Sequence, residues 1–219
     1  MQPFLDPLHL CIALGPVGVY MLVLGLINLR PRPFLTNGAR DNTALAIALS
    51  GFVVVGPMEL FMPEAWAASI HYYIWLLLLG LYALVVILIV LVSRPRLVVY
   101  NITLDRLRPV VAELVKQLDV EARWVGETVS MPKLHVQFCI ESQASMRNIQ
   151  LVSVGPIQSY SGWRRLEARL AEALADVRVG PNPYGFSFVG FAALMLGMSA
   201  FWLIAGRESV AQALQDILR

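Results

Sequence analysis

Long runs of apolar residues dominate the hydrophobic pattern of this chain. The most apolar run, Tyr72–Ser93, has no formal charge and is closed by Arg94-Pro95-Arg96. A helix that is apolar on every side is typical of a lipid-embedded segment, because a helix in water keeps a polar face. The pattern predicts four transmembrane helices, at about residues 9–29, 43–62, 72–93 and 184–206. Within the second span, small residues would let another helix approach closely: Ala44, Ala48, Gly51 and Gly56.

The pattern changes between the third and fourth predicted spans, where apolar and polar residues follow two other periods. Apolar residues from Leu104 to Leu118 fall on one stripe of a helix, with Thr103 as its expected N-cap. A second amphipathic helix carries Trp163 and three leucines on one face. Strict alternation from Leu134 to Glu141 is typical of a half-buried strand. Both periods therefore indicate a domain that buries a core of its own.

The elements combine into one predicted architecture. Residues 1–96 form a membrane region with three spans, and residues 97–183 form an α+β two-layer domain with the order β-α-β-β-β-α. This domain is inserted before the fourth transmembrane helix at 184–206. Residues 207–219 are expected to form a short amphipathic tail on the membrane surface.

Composition strengthens the membrane interpretation. Of the 219 residues 58% are hydrophobic and 15% are charged, whereas globular domains carry about a quarter charged residues. The net charge of +2 and the lack of basic runs with interleaved aromatics argue against nucleic acid as a partner. Cys11 and Cys139 show no metal-binding spacing and are interpreted as small buried side chains.

The distribution of Lys and Arg predicts an orientation. Twelve of the seventeen lie from Arg94 to Arg178, three more follow the first span, and none precedes it. Because basic residues concentrate on the cytoplasmic side, we expect an outside N-terminus and a cytoplasmic domain at 97–183 in a bacterial inner membrane. The residues next to the spans would form a basic collar that sets the topology or attracts anionic lipid: Arg30, Arg32, Arg40, Arg94 and Arg96.

Few residues suggest chemistry. Glu59 is the only carboxylate within a predicted span, which makes it a candidate for ion coupling, although its place near the span's end equally fits an interfacial role. Weak candidates for a metal site share the predicted outer side: Asp6, His9, Glu59, Glu64 and His71. Their spacing matches no ligand motif, so neither a metal nor another cofactor is expected.

The predicted soluble domain offers His135, Cys139 and Glu141 on one strand, but strand spacing places the first and second more than about 13 Å apart. No nucleotide-binding or nucleophile motif occurs in the chain. The sequence therefore favours a non-enzymatic membrane protein, a subunit or scaffold of a larger complex whose partners are lipids and other proteins or itself. A small oligomeric transporter using Glu59 and a membrane-bound enzyme or ligand sensor are the alternatives.

Overall fold

The computed structural model describes residues 7–61, 73–143, 147–156 and 158–205. The chain divides into two compact units, each assembled from separate stretches of sequence. The helical unit contains residues 1–24, 43–91 and 187–219, and the sheet unit contains residues 25–42 and 92–186. The tail predicted at 207–219 lies outside the described residues.

Four long helices supply the described part of the helical unit, and their ends next to the sheet belong to the sheet unit. Their bounds are α1 Pro7–Leu29, α2 Gly38–Phe61, α3 Tyr73–Val92 and α6 Pro183–Ala205. Two shorter helices, α4 Leu104–Leu118 and α5 Tyr160–Ala175, belong to the sheet unit. The long helices are apolar along most of their length, whereas the short ones are amphipathic.

Among the described residues, two helices are long and apolar enough to cross a membrane: Leu8–Leu29 within α1, and α6. The predicted fold with four transmembrane helices is therefore wrong for the part of the chain that the structure describes. The described apolar run of α3 is Leu76–Val92, and α2 carries Arg40 and Asp41 in its first turn.

Small residues let α1 and α2 approach closely, as predicted, but only two of the four predicted positions take part. Ala48 is buried, and a Cβ placed on Gly51 would clash with the main-chain carbonyl of Ile12. Ala44 is exposed instead, and a Cβ on Gly56 would meet no atom within 4 Å. Close approach of the two helices is thus confined to the Ala48–Gly51 turn.

Six antiparallel strands form one sheet in the order β1-β2-β6-β5-β4-β3. Their bounds are β1 Phe34–Asn37, β2 Arg96–Tyr100, β3 Arg123–Val125, β4 Thr128–Met131, β5 Val136–Gln143 and β6 Asn148–Ser153. Alternate strand residues face helices α4 and α5 across a core that includes Val99, Leu107, Phe138, Leu151 and Leu166. The helical stripes predicted for this core are confirmed, and the strand alternation predicted from Leu134 is confirmed from Val136 onward.

The first strand comes from the segment between the first two predicted spans, where no strand was expected. Leu35 pairs with Val99 of β2 and packs against the core, which extends the sheet beyond residues 97–183. Helix α2 then begins at Gly38 and not at Thr43, because the Asn37 side-chain oxygen accepts a hydrogen bond from the Arg40 amide at 2.9 Å. Asn37 therefore acts as an N-cap that the hydrophobic pattern does not reveal.

The predicted order β-α-β-β-β-α is also wrong, since one expected strand is a hairpin. Gly126, at φ +62°, lies in the two-residue turn that joins β3 to β4, with Val125 paired to Thr128. The positive φ suits glycine, which has no Cβ to oppose it. From β2 onward the sheet unit reads β-α-β-β-β-β-α.

Candidate functional site

Two segments of the sheet unit run side by side where the chain leaves α1 and where it enters α6. The Val179 amide donates to the Pro31 carbonyl at 3.0 Å, and the Asn182 amide donates to the Asn28 carbonyl at 2.9 Å. Asn28 and Asn182 are buried. These main-chain bonds place residues 28–31 against residues 179–182, although they are far apart in sequence.

A wide depression of about 390 Å³ opens beside this junction. It is lined by Arg30, Pro31, Arg32, Pro33 and Arg178. Prolines on either side of Arg32 restrict the backbone and so limit the positions that its side chain can reach. The depression therefore holds three guanidinium groups and no carboxylate among its lining residues.

A smaller pocket, of about 200 Å³, is lined in part by residues 179–181. Two arginines line it and bond to residues 178–181: Arg106 Nη1 donates to the Arg178 carbonyl at 2.9 Å, and Arg147 Nη1 lies 3.5 Å from the Gly180 and Pro181 carbonyls. The Ile102 amide donates to the Arg147 carbonyl at 3.0 Å, which fixes the backbone of Arg147 at the pocket. Each guanidinium keeps further N–H donors for a ligand.

Asn101 also lines this pocket and is 1% exposed. Its backbone has a φ of +58°, a left-handed conformation that asparagine tolerates better than most residues. Its Nδ2 donates to the Arg30 carbonyl at 2.9 Å, but its Oδ1 is buried without a hydrogen-bond partner. A buried acceptor without a partner is costly, so this oxygen marks a place where a donor is needed.

Thr103 and Arg106, at the N-terminus of α4, line the pocket. Thr103 occupies the N-cap position with extended backbone, yet its side chain makes no capping hydrogen bond. In that first turn the Arg106 amide donates to the Thr103 carbonyl at 3.1 Å, and neither Leu104 nor Asp105 lines the pocket. Arg106 also lies in this first turn, where the helix dipole disfavours a cation.

Charge is the property that the two pockets share. Among the described residues, the arginines that line them form no ion pair with a carboxylate: Arg30, Arg32, Arg106, Arg147 and Arg178. We call these five residues the arginine surface. Uncompensated guanidinium groups with free donors are suited to bind phosphate or carboxylate, often with two parallel hydrogen bonds.

The basic collar predicted from the sequence does not stay together as one contact network. Arg30 and Arg32 belong to the arginine surface, and Arg94 is exposed. Arg96 donates to Asn42 at 2.7 Å and lies 3.6 Å from Asp41, while Arg40 lies 3.4 Å from Glu167. Whether the collar residues bind lipid stays a prediction.

Three arginines of this surface escaped the sequence analysis, because they come from three separate segments. Arg106 begins α4, Arg147 precedes β6 and Arg178 follows α5. The position of Arg106 carried a usable signal, since a basic residue in the first turn of a predicted helix opposes the dipole. No sequence pattern connects Arg147 or Arg178 to it.

The candidate enzyme residues lie in different surroundings. His135 was expected on the strand with Cys139 and Glu141, but it lies in the turn before β5 with a φ of +51°. The predicted strand alternation, Leu134–Glu141, therefore begins two residues before the strand does. Cys139 and Glu141 lie on β5, the first half-buried and the second exposed. Neither has a bond to His135 that would join them as a catalytic pair.

Most of the metal candidates lie outside the described residues: Asp6, Glu64 and His71. Glu59 belongs to α2, but its side chain is not described, and His9 lies in α1. Within the described part of the chain, no group of three His, Cys, Asp or Glu side chains could hold a metal ion. The role suggested for Glu59 stays a prediction.

Comparison with known proteins adds no relative. No protein-family model matches the chain, and no curated protein or solved structure matches it. The sheet unit is thus defined by its own geometry: an antiparallel sheet, two covering helices and an arginine-lined surface.

Proposed function

We propose that this chain is a non-enzymatic membrane protein that anchors its sheet unit at the bilayer surface and presents it to partner proteins. The observation that carries this proposal is the apolar exterior of the helical unit. At about 100° per residue, Leu79, Leu84, Val85 and Ile87 of α3 project to four different sides. All four side chains are exposed, by 36–65%. A helix that exposes apolar side chains all round needs an apolar environment.

The arginine surface supports the same proposal from the sheet unit. In the sequence, Arg30 directly follows the candidate span Leu8–Leu29, and the candidate span Pro183–Ala205 begins two residues after Pro181. Residues this close to the end of a span lie near the headgroup layer. Each arginine there gains on the order of 1 kcal/mol from an anionic leaflet.

The finer orientation follows from the charges. Since Lys and Arg concentrate on the cytoplasmic side, we place the sheet unit, which holds most of them, in the cytoplasm and the N-terminus outside. A bacterial inner membrane, with its anionic cytoplasmic leaflet, is the membrane that we propose.

Partner proteins are inferred from α3. Its apolar side chains are exposed, and exposed apolar patches mark protein–protein or membrane interaction sites. Apolar helices of another subunit, or of a second copy of this chain, would cover it within a complex. We therefore propose that the protein is a subunit or assembly component of a larger membrane complex.

Purification of the full chain from native membranes in mild detergent tests this proposal. We expect the chain to stay with the membrane after alkaline carbonate washing and to co-purify with a stoichiometric set of proteins. Release into the carbonate wash would contradict the membrane anchor. Recovery of a monodisperse single chain from the detergent extract would contradict the role as a complex subunit.

A further inference from the structure

The wide depression of about 390 Å³ concentrates positive charge that the described part of the chain does not neutralise. Three of its five lining residues are arginines and none is acidic: Arg30, Arg32 and Arg178. All three are exposed, and they form no ion pair among the described residues. Arginines elsewhere in the sheet unit do pair with carboxylates, as Arg108 does with Glu127 at 3.3 Å. The charge of this depression is therefore left for an anionic ligand.

Main-chain atoms hold the arginines of the depression in place. The Val179 amide donates to the Pro31 carbonyl at 3.0 Å, so the segment that follows α1 lies beside the segment that precedes α6. The carbonyls of Arg30 and Arg178 each accept a side-chain hydrogen bond at 2.9 Å. These bonds fix the backbone of both arginines and leave their guanidinium groups for a ligand.

Size and charge together indicate the kind of anion. The volume lies within the range of about 300–1,000 Å³ that is usual for small-molecule sites, which is more than a single phosphate group fills. A guanidinium group can donate two parallel hydrogen bonds to one phosphate. A phosphodiester carries one negative charge, so one such group would neutralise only one of the three arginines. Two phosphodiesters on a short bridge match the depression better in both size and charge.

We propose that the depression binds a headgroup in which a short polar bridge joins two phosphodiesters, as in cardiolipin. In the sequence, Arg30 directly follows the candidate span Leu8–Leu29, and Arg178 lies five positions before Pro183, where α6 begins. Residues this close to the ends of two spans lie near the lipid phosphates, and basic pockets at such positions bind the headgroup of cardiolipin. The lipid as the source of the ligand rests on the proposed membrane anchor, whereas the site for two bridged phosphates does not.

Native mass spectrometry of the full chain in uncharged detergent tests the inference. The probes are cardiolipin, phosphatidylglycerol at twice the molar concentration, and bis(glycerophospho)glycerol, which is the cardiolipin headgroup without acyl chains. We expect cardiolipin to bind about tenfold more tightly than phosphatidylglycerol, although both supply the same total phosphate, because one molecule reaches several arginines. Weaker binding of the deacylated headgroup would support the lipid as the ligand. Equal binding of that headgroup would support the site but contradict the lipid source.

Variants assign the preference for cardiolipin to this depression. Arg32→Gln and Arg178→Gln are each expected to weaken cardiolipin binding about fivefold and to reduce its preference over phosphatidylglycerol, since each removes charge-assisted bonds. Arg32→Lys keeps the charge but loses the planar fork, so part of the preference should be lost. Arg94→Gln is the matched control, because Arg94 is exposed just after α3 and does not line the depression. It should weaken the binding of both lipids equally.

Three results would overturn the inference. The first is equal binding of cardiolipin and phosphatidylglycerol at matched phosphate, and the second is no binding of either cardiolipin or its deacylated headgroup. The third is a preference that Arg94→Gln reduces as much as Arg32→Gln and Arg178→Gln do, because general surface charge would then explain it. Failure of the membrane anchor has a separate readout: the carbonate wash would release the chain, while the deacylated headgroup would still bind in detergent.

Discussion

Asn182 is bonded twice to Asn28, although 154 residues separate them in sequence. Its main-chain amide donates to the Asn28 carbonyl at 2.9 Å, and its Nδ2 donates to Asn28 Oδ1 at 3.0 Å. Both side chains are buried, so neither bond competes with bulk water. This asparagine pair holds together the two segments that carry part of the arginine surface.

Replacing Asn182 with alanine is expected to lower the free energy of unfolding by about 1–3 kcal/mol, because a buried hydrogen bond is lost. The double variant with Asn28→Ala should cost less than the sum of the two single changes, since both remove the same bond. Thermal unfolding of the full chain in uncharged detergent measures this. Gln117→Ala, on an exposed pair with Glu113, is the control. Strict additivity would contradict the coupling.

Gly51 and Gly56 provide a matched test of helix packing in the helical unit. Gly51→Ala is expected to destabilise the unit by about 1–3 kcal/mol, because the new Cβ meets the Ile12 carbonyl and neither backbone can easily move. Gly56→Ala meets open space and should stabilise α2 by up to about 1 kcal/mol through helix propensity. Unfolding midpoints of both variants in one detergent give the comparison. Equal effects would rule out the close contact.

Asp119 joins the end of α4 to the turn before β5. Its carboxylate is buried and accepts from the Glu121 amide at 2.9 Å and the Lys133 amide at 2.8 Å. Asp119→Ala should cost about 2–4 kcal/mol of stability, since two main-chain amides lose a charged acceptor. Asp119→Asn keeps one side-chain acceptor, so its free energy of unfolding should lie between those of the wild-type protein and Asp119→Ala. Thermal unfolding checks this series, and an Asp119→Ala variant as stable as the wild-type protein would contradict it.

Gly126 tests the hairpin that the sequence pattern missed. No atom lies within 4 Å of a Cβ built there, so any cost of substitution comes from its φ of +62°. Gly126→Val is expected to cost about 1–2 kcal/mol, and Gly126→Asn much less, because asparagine tolerates the left-handed region. Comparing their unfolding midpoints separates backbone strain from crowding. A valine variant as stable as the asparagine variant would show that the turn changes conformation.

Local periodicity predicted much of the sheet unit. The stripe of Leu107, Val111, Leu114 and Val115 is buried, as a period of 3.6 residues indicates. Phe138 and Ile140 alternate with half-buried or exposed neighbours on β5. Both signals arise within a single element, so the sequence contains them without any knowledge of tertiary contacts.

What escaped prediction depends on contacts between distant segments or on turn chemistry. Phe34 and Leu35 are too short a run to mark a strand until β2 is beside them. Pocket residues Arg106 and Arg147 lie 41 positions apart in the sequence, and the bond from the Ile102 amide to the Arg147 carbonyl joins their two segments. The prediction of four transmembrane helices treated apolar composition as sufficient, whereas among the described residues two helices are both long and apolar enough to cross a membrane.

The position of β1 has a consequence for how the protein is made and how it can be dissected. The ribosome releases Phe34–Asn37 well before Arg96–Tyr100, so this edge strand has no partner until β2 has been synthesised. A recombinant fragment that begins at residue 97 would also lack β1. Such a fragment would leave the hydrogen-bonding edge of β2 open for pairing with other copies, an aggregation hazard that charge or proline on an edge strand normally prevents. An expression fragment that fuses residues 30–42 back onto the edge of β2 would restore the native border of the sheet.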